Sequence, residues 1–143
     1  MSLKSVCSCQ GCSGDVMEIK NMYELPYMTF PTGRNTRVMI GQNGSIKGKH
    51  FCQGFVDIFV GGSIPEHKHE TVETYTILEG NGVVTVDGES HDMKKGDYVF
   101  IDSNATHSLV NTGETNLHMM FVYAPQVIVD HWAEELKDKK ESI

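Results

Sequence analysis

The sequence lacks the features that mark several large classes of protein. No apolar run approaches the roughly 18 residues of a membrane-spanning helix, so no membrane partner is expected. Nowhere do three Lys or Arg residues stand together and the formal net charge is −7, which argues against nucleic acid because phosphate binding needs a concentrated positive surface. The N-terminus has no charged region followed by an apolar one, so no secretory signal is predicted and a cytoplasmic location is expected.

Motifs of three common kinds of enzyme are also missing. The chain has no nucleophile elbow of a Ser-His-Asp hydrolase, no phosphate-binding P-loop and no dinucleotide-binding glycine fingerprint. It has no internal repeat, and no helix of about ten residues fits between its central apolar segments, which disfavours a parallel α/β sheet. With 143 residues, of which 39% are hydrophobic and 22% charged, it has the size and composition of one globular domain.

Cysteine is scarce, and three of the four cysteines lie close together. Cys7, Cys9 and Cys12 form a C-x-C-x2-C cluster in a small, polar arm over residues 1–16, whereas Cys52 lies in an apolar segment. In a cytosolic chain such a cluster is more often reduced or metal-binding than disulfide-bonded. A thiolate metal site would need a fourth ligand, so a second metal site and three free thiols both stay open.

Short apolar or β-branched segments, separated by turn residues, fill the middle of the chain. Asp87-Gly88 is a strong signal for a two-residue β-hairpin. This pattern predicts an all-β barrel or sandwich, within a single domain over residues 17–143. The predicted strands lie near residues 36–40, 50–60, 73–78, 83–87, 90–93, 98–101, 107–111 and 117–123.

The segments on either side of the predicted barrel have different patterns. Ile128, Trp132 and Leu136 recur every four residues, which predicts a short amphipathic helix over about residues 127–138. We expect Trp132 to pack on the barrel or on a partner subunit. The approach segment before the barrel is rich in apolar residues, more than one small barrel can cover, and this predicts a homodimer. These residues are Tyr23, Leu25, Tyr27, Met28 and Phe30.

Three histidines and one glutamate form the strongest functional signal. His67 and His69 are two residues apart, so in a strand they point to the same side. A short turn then brings Glu73 back towards them, and His107 follows later in the chain. Three imidazoles and a carboxylate can hold a divalent transition metal and leave one or two positions open for a ligand.

The spacing of these residues resembles the two signature motifs of the cupin family. Gly61 to Gly80 reads G-x5-H-x-H-x3-E-x6-G without a mismatch. Gly96 to Asn111 is similar to the second motif, G-x5-P-x-G-x2-H-x3-N, but has Asp102 in place of Pro and Asn104 in place of Gly. Asn tolerates a left-handed turn better than other non-glycine residues, so we expect the loop to keep its bend.

The resemblance covers about residues 36–123 and implies a fold, a cofactor and a function. The implied fold is a double-stranded β-helix, or jelly-roll, barrel with a metal bound by His67, His69, Glu73 and His107. The ligand set resembles that of cupins that are dioxygenases, decarboxylases, isomerases or lyases. This resemblance implies turnover of a small, oxygen-rich or anionic metabolite. Iron or manganese is favoured, with zinc and nickel as alternatives. The alternative function is a non-catalytic, metal-dependent binding or sensor protein.

Residues near the four ligands are candidates for contacts with a substrate. Tyr75 should point inward, where it either acts as an acid, donates a hydrogen bond to a ligand or only fills space. Met119 and Phe121 lie on a strand of which one face lines the cavity, although the alternation does not tell which face. Arg37 either clamps an anionic substrate or is an exposed charge on its strand. The substrate and the reaction are not specified by these residues.

Overall fold

Two β-sheets enclose a common core in the computed structural model, which describes residues 16–126. A 3-10 helix over Met22–Glu24 precedes eleven strands in this range. The strands are β1 (Met28–Phe30), β2 (Arg34–Gly41), β3 (Ile46–Lys47), β4 (Cys52–Ile58), β5 (Ser63–His67), β6 (Val72–Glu79), β7 (Asn81–Val86), β8 (Glu89–Lys94), β9 (Tyr98–Ile101), β10 (His107–Asn111) and β11 (Leu117–Ala124).

The order of the strands is that of a jelly roll. The larger sheet runs β1-β2-β4-β11-β6-β9, and the smaller one runs β5-β10-β7-β8. All pairings along these two paths are antiparallel, and only the short β3 runs parallel to its neighbour β2. Strands distant in sequence, such as β4 and β11, lie side by side, as the two-sheet jelly-roll architecture requires. The all-β jelly-roll prediction is therefore confirmed.

The core follows the period of two that strand geometry dictates. Along β11, Met119, Phe121 and Tyr123 are buried while the residues between them are only half-buried. The smaller sheet contributes Val84 and Leu109 to the same cluster. Burial of each such side chain stabilises the fold by about 1.5–3 kcal/mol, so the facing sheets hold the interior side chains in place.

The Asp87-Gly88 turn has the predicted conformation. Asp87 has φ 47° and Gly88 has φ 81°, and they connect β7 to β8. Positive φ at both central positions is what a type I′ hairpin needs. The hairpin prediction is confirmed.

Each of the eight predicted strand segments overlaps an observed strand, but β1, β3 and β5 were not among them. The Gly61-Gly62 pair before β5 and Pro65 within it are turn signals. Pro65 is tolerated because β5 is the edge strand of its sheet, where a missing N–H costs no ladder hydrogen bond.

Two predicted segments lie outside the described residues. These are most of the Cys-rich arm over residues 1–16 and the helix over residues 127–138 with Trp132. Within residues 16–126, no helix is long and apolar enough to cross a membrane.

Candidate metal centre

Four side chains from separate parts of the chain converge in the interior. His67 ends β5, His69 lies in the turn that follows, Glu73 is in β6 and His107 begins β10. One potential ligand atom from each residue lies within 4.8 Å of the other three. His107 is the direct cross-strand partner of His67, so the pairing of β5 with β10 places residues from both sequence motifs together.

The three imidazole rings are all oriented by nearby carbonyl groups. A carbonyl oxygen can only accept a hydrogen bond, so Nδ1 carries the hydrogen in each ring and Nε2 keeps its lone pair when the ring is neutral. That tautomer, fixed by a backbone acceptor, is the one that a metal ligand needs. The contacts are His67 Nδ1 to Pro65 O at 2.7 Å, His69 Nδ1 to Thr71 O at 3.0 Å and His107 Nδ1 to Ala105 O at 2.9 Å.

The Nε2 atoms of His69 and His107 are buried and have no hydrogen-bond partner. Buried polar atoms are normally satisfied, so two such atoms side by side need an explanation. Glu73 Oε2 lies 3.4 Å from His69 Nε2, and Glu73 Oε1 lies 3.6 Å from His107 Nε2. These separations suit donor atoms that share one cation, and the set of three nitrogens and a carboxylate fits a divalent transition metal.

The protonation states of the cluster suit the same cation. Burial would raise the pKa of Glu73, but contacts with His107 and His69 outweigh it and hold that pKa at about 2. Burial, assisted by the charge of His107, lowers the pKa of His67 to about 4. Burial also acts to lower the pKa of His69, but the contact with Glu73 outweighs it and raises that pKa. An ionised carboxylate beside a neutral imidazole is the form in which these residues bind metals.

A small cavity of about 20 Å³ adjoins the cluster, enough for about one water-sized group. The predicted pocket residues Tyr75, Met119 and Phe121 line it, so the inward face of β11 is the one that carries Met119, Phe121 and Tyr123. Arg34 and Thr36, which the sequence did not single out, also line it.

Tyr75 lies directly beside the proposed ligand Glu73. Its side chain is 1% exposed, and its hydroxyl interacts with the Glu73 carboxylate. Burial raises the pKa of Tyr75 well above its ordinary value, and the negative charge of Glu73 adds to this. Tyr75 is therefore a neutral phenol beside the Glu73 carboxylate.

Arg37, a candidate anchor for an anion, is paired with an acidic side chain. Its Nη1 lies 2.8 Å from Asp57 Oδ2, and its guanidinium lies 4.9 Å from the centre of the Tyr27 ring. Because side chains alternate along β2, the cavity instead receives Arg34 and Thr36. The residue types alone do not show which face of β2 points inward, so Arg34 was not a candidate from the sequence.

A larger open groove lies elsewhere on the barrel. It has a volume of about 640 Å³ and is lined by β7, β8, β9 and their connecting turns. None of the four clustered residues lines it. The convergent donor atoms, and not the larger volume, therefore identify the candidate site.

Comparisons with known proteins agree with the fold and the cluster. Residues 54–123 match the family described as "Cupin domain". An oxalate-binding protein from Thermotoga maritima is 44% identical over 63 residues, which cover 43% of this chain and 52% of that protein. A dimethylsulfoniopropionate lyase from Ruegeria pomeroyi is 32% identical over 71 residues, which cover 50% of this chain and 46% of that protein. The chain thus spans about half the length of the curated relatives that it matches.

Solved structures share the same architecture. A crystal structure described as a predicted oxalate decarboxylase from Thermotoga maritima has a TM-score of 0.68 and 25% identity, covering 75% of this chain and 98% of that chain. The cupin domain of Cnp3 from Schizosaccharomyces pombe has a TM-score of 0.64 at 17% identity, covers 86% of this chain and 79% of that chain, and supports the fold alone. With its two motifs, its jelly-roll sheets and its cluster of three histidines and a glutamate, the chain contains a small cupin domain.

Proposed function

We propose that this protein binds one divalent transition metal per chain through His67, His69, Glu73 and His107, and that the metal holds a small carboxylate. The observation that carries the proposal is the pair of buried Nε2 atoms, on His69 and His107, that face an ionised carboxylate without hydrogen-bond partners. Iron or manganese is favoured, because three nitrogens and one oxygen leave two positions of a six-coordinate ion for a bidentate ligand. Zinc and nickel are the alternatives.

The cavity favours a small and negatively charged ligand. About 20 Å³ of space excludes a large or aromatic substrate unless the wall moves. Arg34, 1% exposed, adds a positive charge to that wall. The similarity to an oxalate-binding protein over 63 residues agrees with both features, so oxalate is the first ligand to test.

The metal and the residues around it would have different roles in binding the ligand. When bound, the metal would act as a Lewis acid that polarises an oxygen of the ligand. Tyr75, a neutral phenol beside Glu73, would help to keep that carboxylate in one orientation. Met119 and Phe121 are buried in the wall and exclude water from the ligand. An active site of this kind suits decarboxylation, dioxygenation, isomerisation or lyase chemistry on a small acid.

A non-catalytic binding or sensor protein is the second candidate function. The name of the Thermotoga maritima relative, an oxalate-binding protein, favours it. Under this alternative the same four ligands and the same cavity would capture the anion without converting it.

We also propose that the protein acts as a cytoplasmic homodimer with a single domain over residues 17–143. Val16, Ile19, Tyr23 and Tyr27 expose between 54% and 85% of their surface in the described chain, which suits burial against a second copy. Cys52 is a free thiol, as a reducing compartment permits.

Calorimetry and a product assay would test the proposed function. The protein, reconstituted with manganese or iron, is titrated with oxalate and then assayed for formate and carbon dioxide, with and without air. Binding with product formation supports the enzyme, and binding without product supports the binding protein. If neither metal form binds oxalate or another small carboxylate, the proposed function is wrong.

A further inference from the structure

The hydroxyl of Thr36 has no hydrogen-bond partner although it is deeply buried. Thr36 is 1% exposed, and its Oγ1 is inaccessible and unpaired. Thr36 lines the same small cavity as His67 and Glu73. Leaving a buried hydroxyl unpaired costs folding free energy, so the arrangement is explained if a group that enters the cavity accepts a hydrogen bond from Thr36.

Arg34 adds a fixed positive charge to the wall of the same cavity. It precedes Thr36 by two residues on β2, points to the same face and lines the same cavity. Its guanidinium lies 4.1 Å from the centre of the Phe30 ring, and Nη1 donates to the carbonyl of Ser63 at 3.3 Å and to the hydroxyl of Thr32. These contacts hold the guanidinium in place. A hydroxyl donor and a fixed guanidinium on one cavity wall are a combination that can recognise a carboxylate.

We propose that Thr36 and Arg34 form a subsite for the second carboxylate of a dicarboxylate whose first carboxylate lies at the metal. The inference rests on the proposed function and specifies its ligand class. Because the cavity has room for only about one water-sized group at about 20 Å³, any diacid must displace part of the wall, such as Met119 or Phe121, when it binds. This displacement grows with the length of the diacid, so the subsite favours oxalate, the shortest of them.

Two variants at Thr36 distinguish binding at this subsite from binding at the metal. Thr36→Val removes the hydroxyl and keeps the shape of the side chain, whereas Thr36→Ser keeps the hydroxyl and serves as the matched control. The full chain, loaded with manganese, is titrated by calorimetry with oxalate and, separately, with formate, which has only one carboxylate. Circular dichroism checks that each variant is folded.

The subsite predicts a selective loss of affinity. In Thr36→Val the dissociation constant for oxalate should rise by about 10- to 100-fold, as expected for the loss of one hydrogen bond to a charged acceptor. The dissociation constant for formate should change by less than about twofold. Thr36→Ser should bind oxalate within about threefold of the wild type. Without ligand, Thr36→Val should melt at a higher temperature than the wild type, because an unpaired buried hydroxyl has been replaced by a methyl group.

Each contrary result has a distinct meaning. If Thr36→Val binds oxalate as tightly as the wild type, the subsite is wrong while the proposed function stands, and an ordered water is then the partner of the hydroxyl. If Thr36→Val weakens the binding of oxalate and of formate equally, Thr36 contributes to binding at the metal, and the proposed subsite is again wrong. If the wild type binds neither acid, both the proposed function and the subsite are overturned.

Discussion

The backbone amide of Asn104 donates a hydrogen bond of 2.8 Å to the carbonyl of His69. The loop that precedes His107 thereby supports the turn that carries another proposed ligand. Ser103 reinforces the contact, since its hydroxyl donates to the carbonyl of Glu70 at 2.7 Å. The two sequence motifs are thus linked through their backbones as well as through the clustered side chains.

Asn104 adopts a left-handed conformation with φ 62°, which a residue with an ordinary β-carbon adopts at a cost of about 1 kcal/mol. Asn104→Ala should therefore lower the free energy of unfolding by about 1 kcal/mol, whereas Asn104→Gly should leave it nearly unchanged. Urea unfolding of both variants beside the wild type measures the difference. Equal loss in the two variants would mean that the Asn side chain, and not its backbone conformation, stabilises the loop.

Metal affinity should fall with acidification, beginning above pH 6.5. The pKa of His69 is raised above its ordinary value of 6.5 because its contact with Glu73 outweighs burial. As the pH falls through that raised pKa, His69 takes up a proton that a metal must displace. Calorimetric titration with manganese at half-unit steps from pH 8 to pH 5 measures the onset. An affinity that stays constant from pH 8 down to pH 6 would contradict the raised pKa.

The chelator-treated protein should lose the stability that a neutral His67 contributes between pH 6.5 and pH 4. The pKa of His67 is lowered from 6.5 to about 4 by burial and by the charge of His107. In this window the unfolded chain binds a proton that the folded chain does not, so the free energy of unfolding falls as the pH falls. From pH 6.5 to pH 5 the expected loss is about 2 kcal/mol.

The His67→Gln variant provides the control for this prediction. Without the imidazole, most of the loss between pH 6.5 and pH 5 should disappear. Urea unfolding at both pH values, on chelator-treated wild type and variant, measures the two losses. The attribution to His67 fails if the variant loses as much stability as the wild type.

The exposed apolar residues of the approach segment predict a homodimer. Ile19 is 82% exposed and Tyr23 is 70% exposed in the described chain. Light scattering at tens of micromolar protein should give twice the mass of the chain, and the double variant Ile19→Asp, Tyr23→Asp should shift it towards the monomer. A wild type that is monomeric under these conditions refutes the dimer.

The sequence predicted most of the fold because alternation and turn chemistry are local properties. The Asp87-Gly88 hairpin needs only the preference of two residues for positive φ. The clustering of His67 with His107 came from motif spacing and not from local structure, since only the register of β5 with β10 brings them together.

What the sequence missed depends on tertiary context. β5 was missed because Pro65 disfavours a strand everywhere except at an edge or bulge, and the edge position is a property of the whole sheet. The sequence does not identify Arg34 as a residue of the cavity, because the inward face of β2 is set by its packing against the core. The unpaired hydroxyl of Thr36 has no signal in the sequence at all, since it exists only in the folded cavity.

The most direct test of the account is an anomalous diffraction experiment on protein purified without chelators, for the wild type, His107→Ala and His91→Ala. His91 is a suitable control because 68% of its side chain is exposed and it lies outside the cluster. We expect one anomalous peak per chain within about 2.0–2.3 Å of the ligand atoms of His67, His69, Glu73 and His107. The peak should remain in His91→Ala and be lost or strongly reduced in His107→Ala. A metal-replete wild type with no peak among these four residues, or a peak that His107→Ala leaves unchanged, would contradict the proposed metal site.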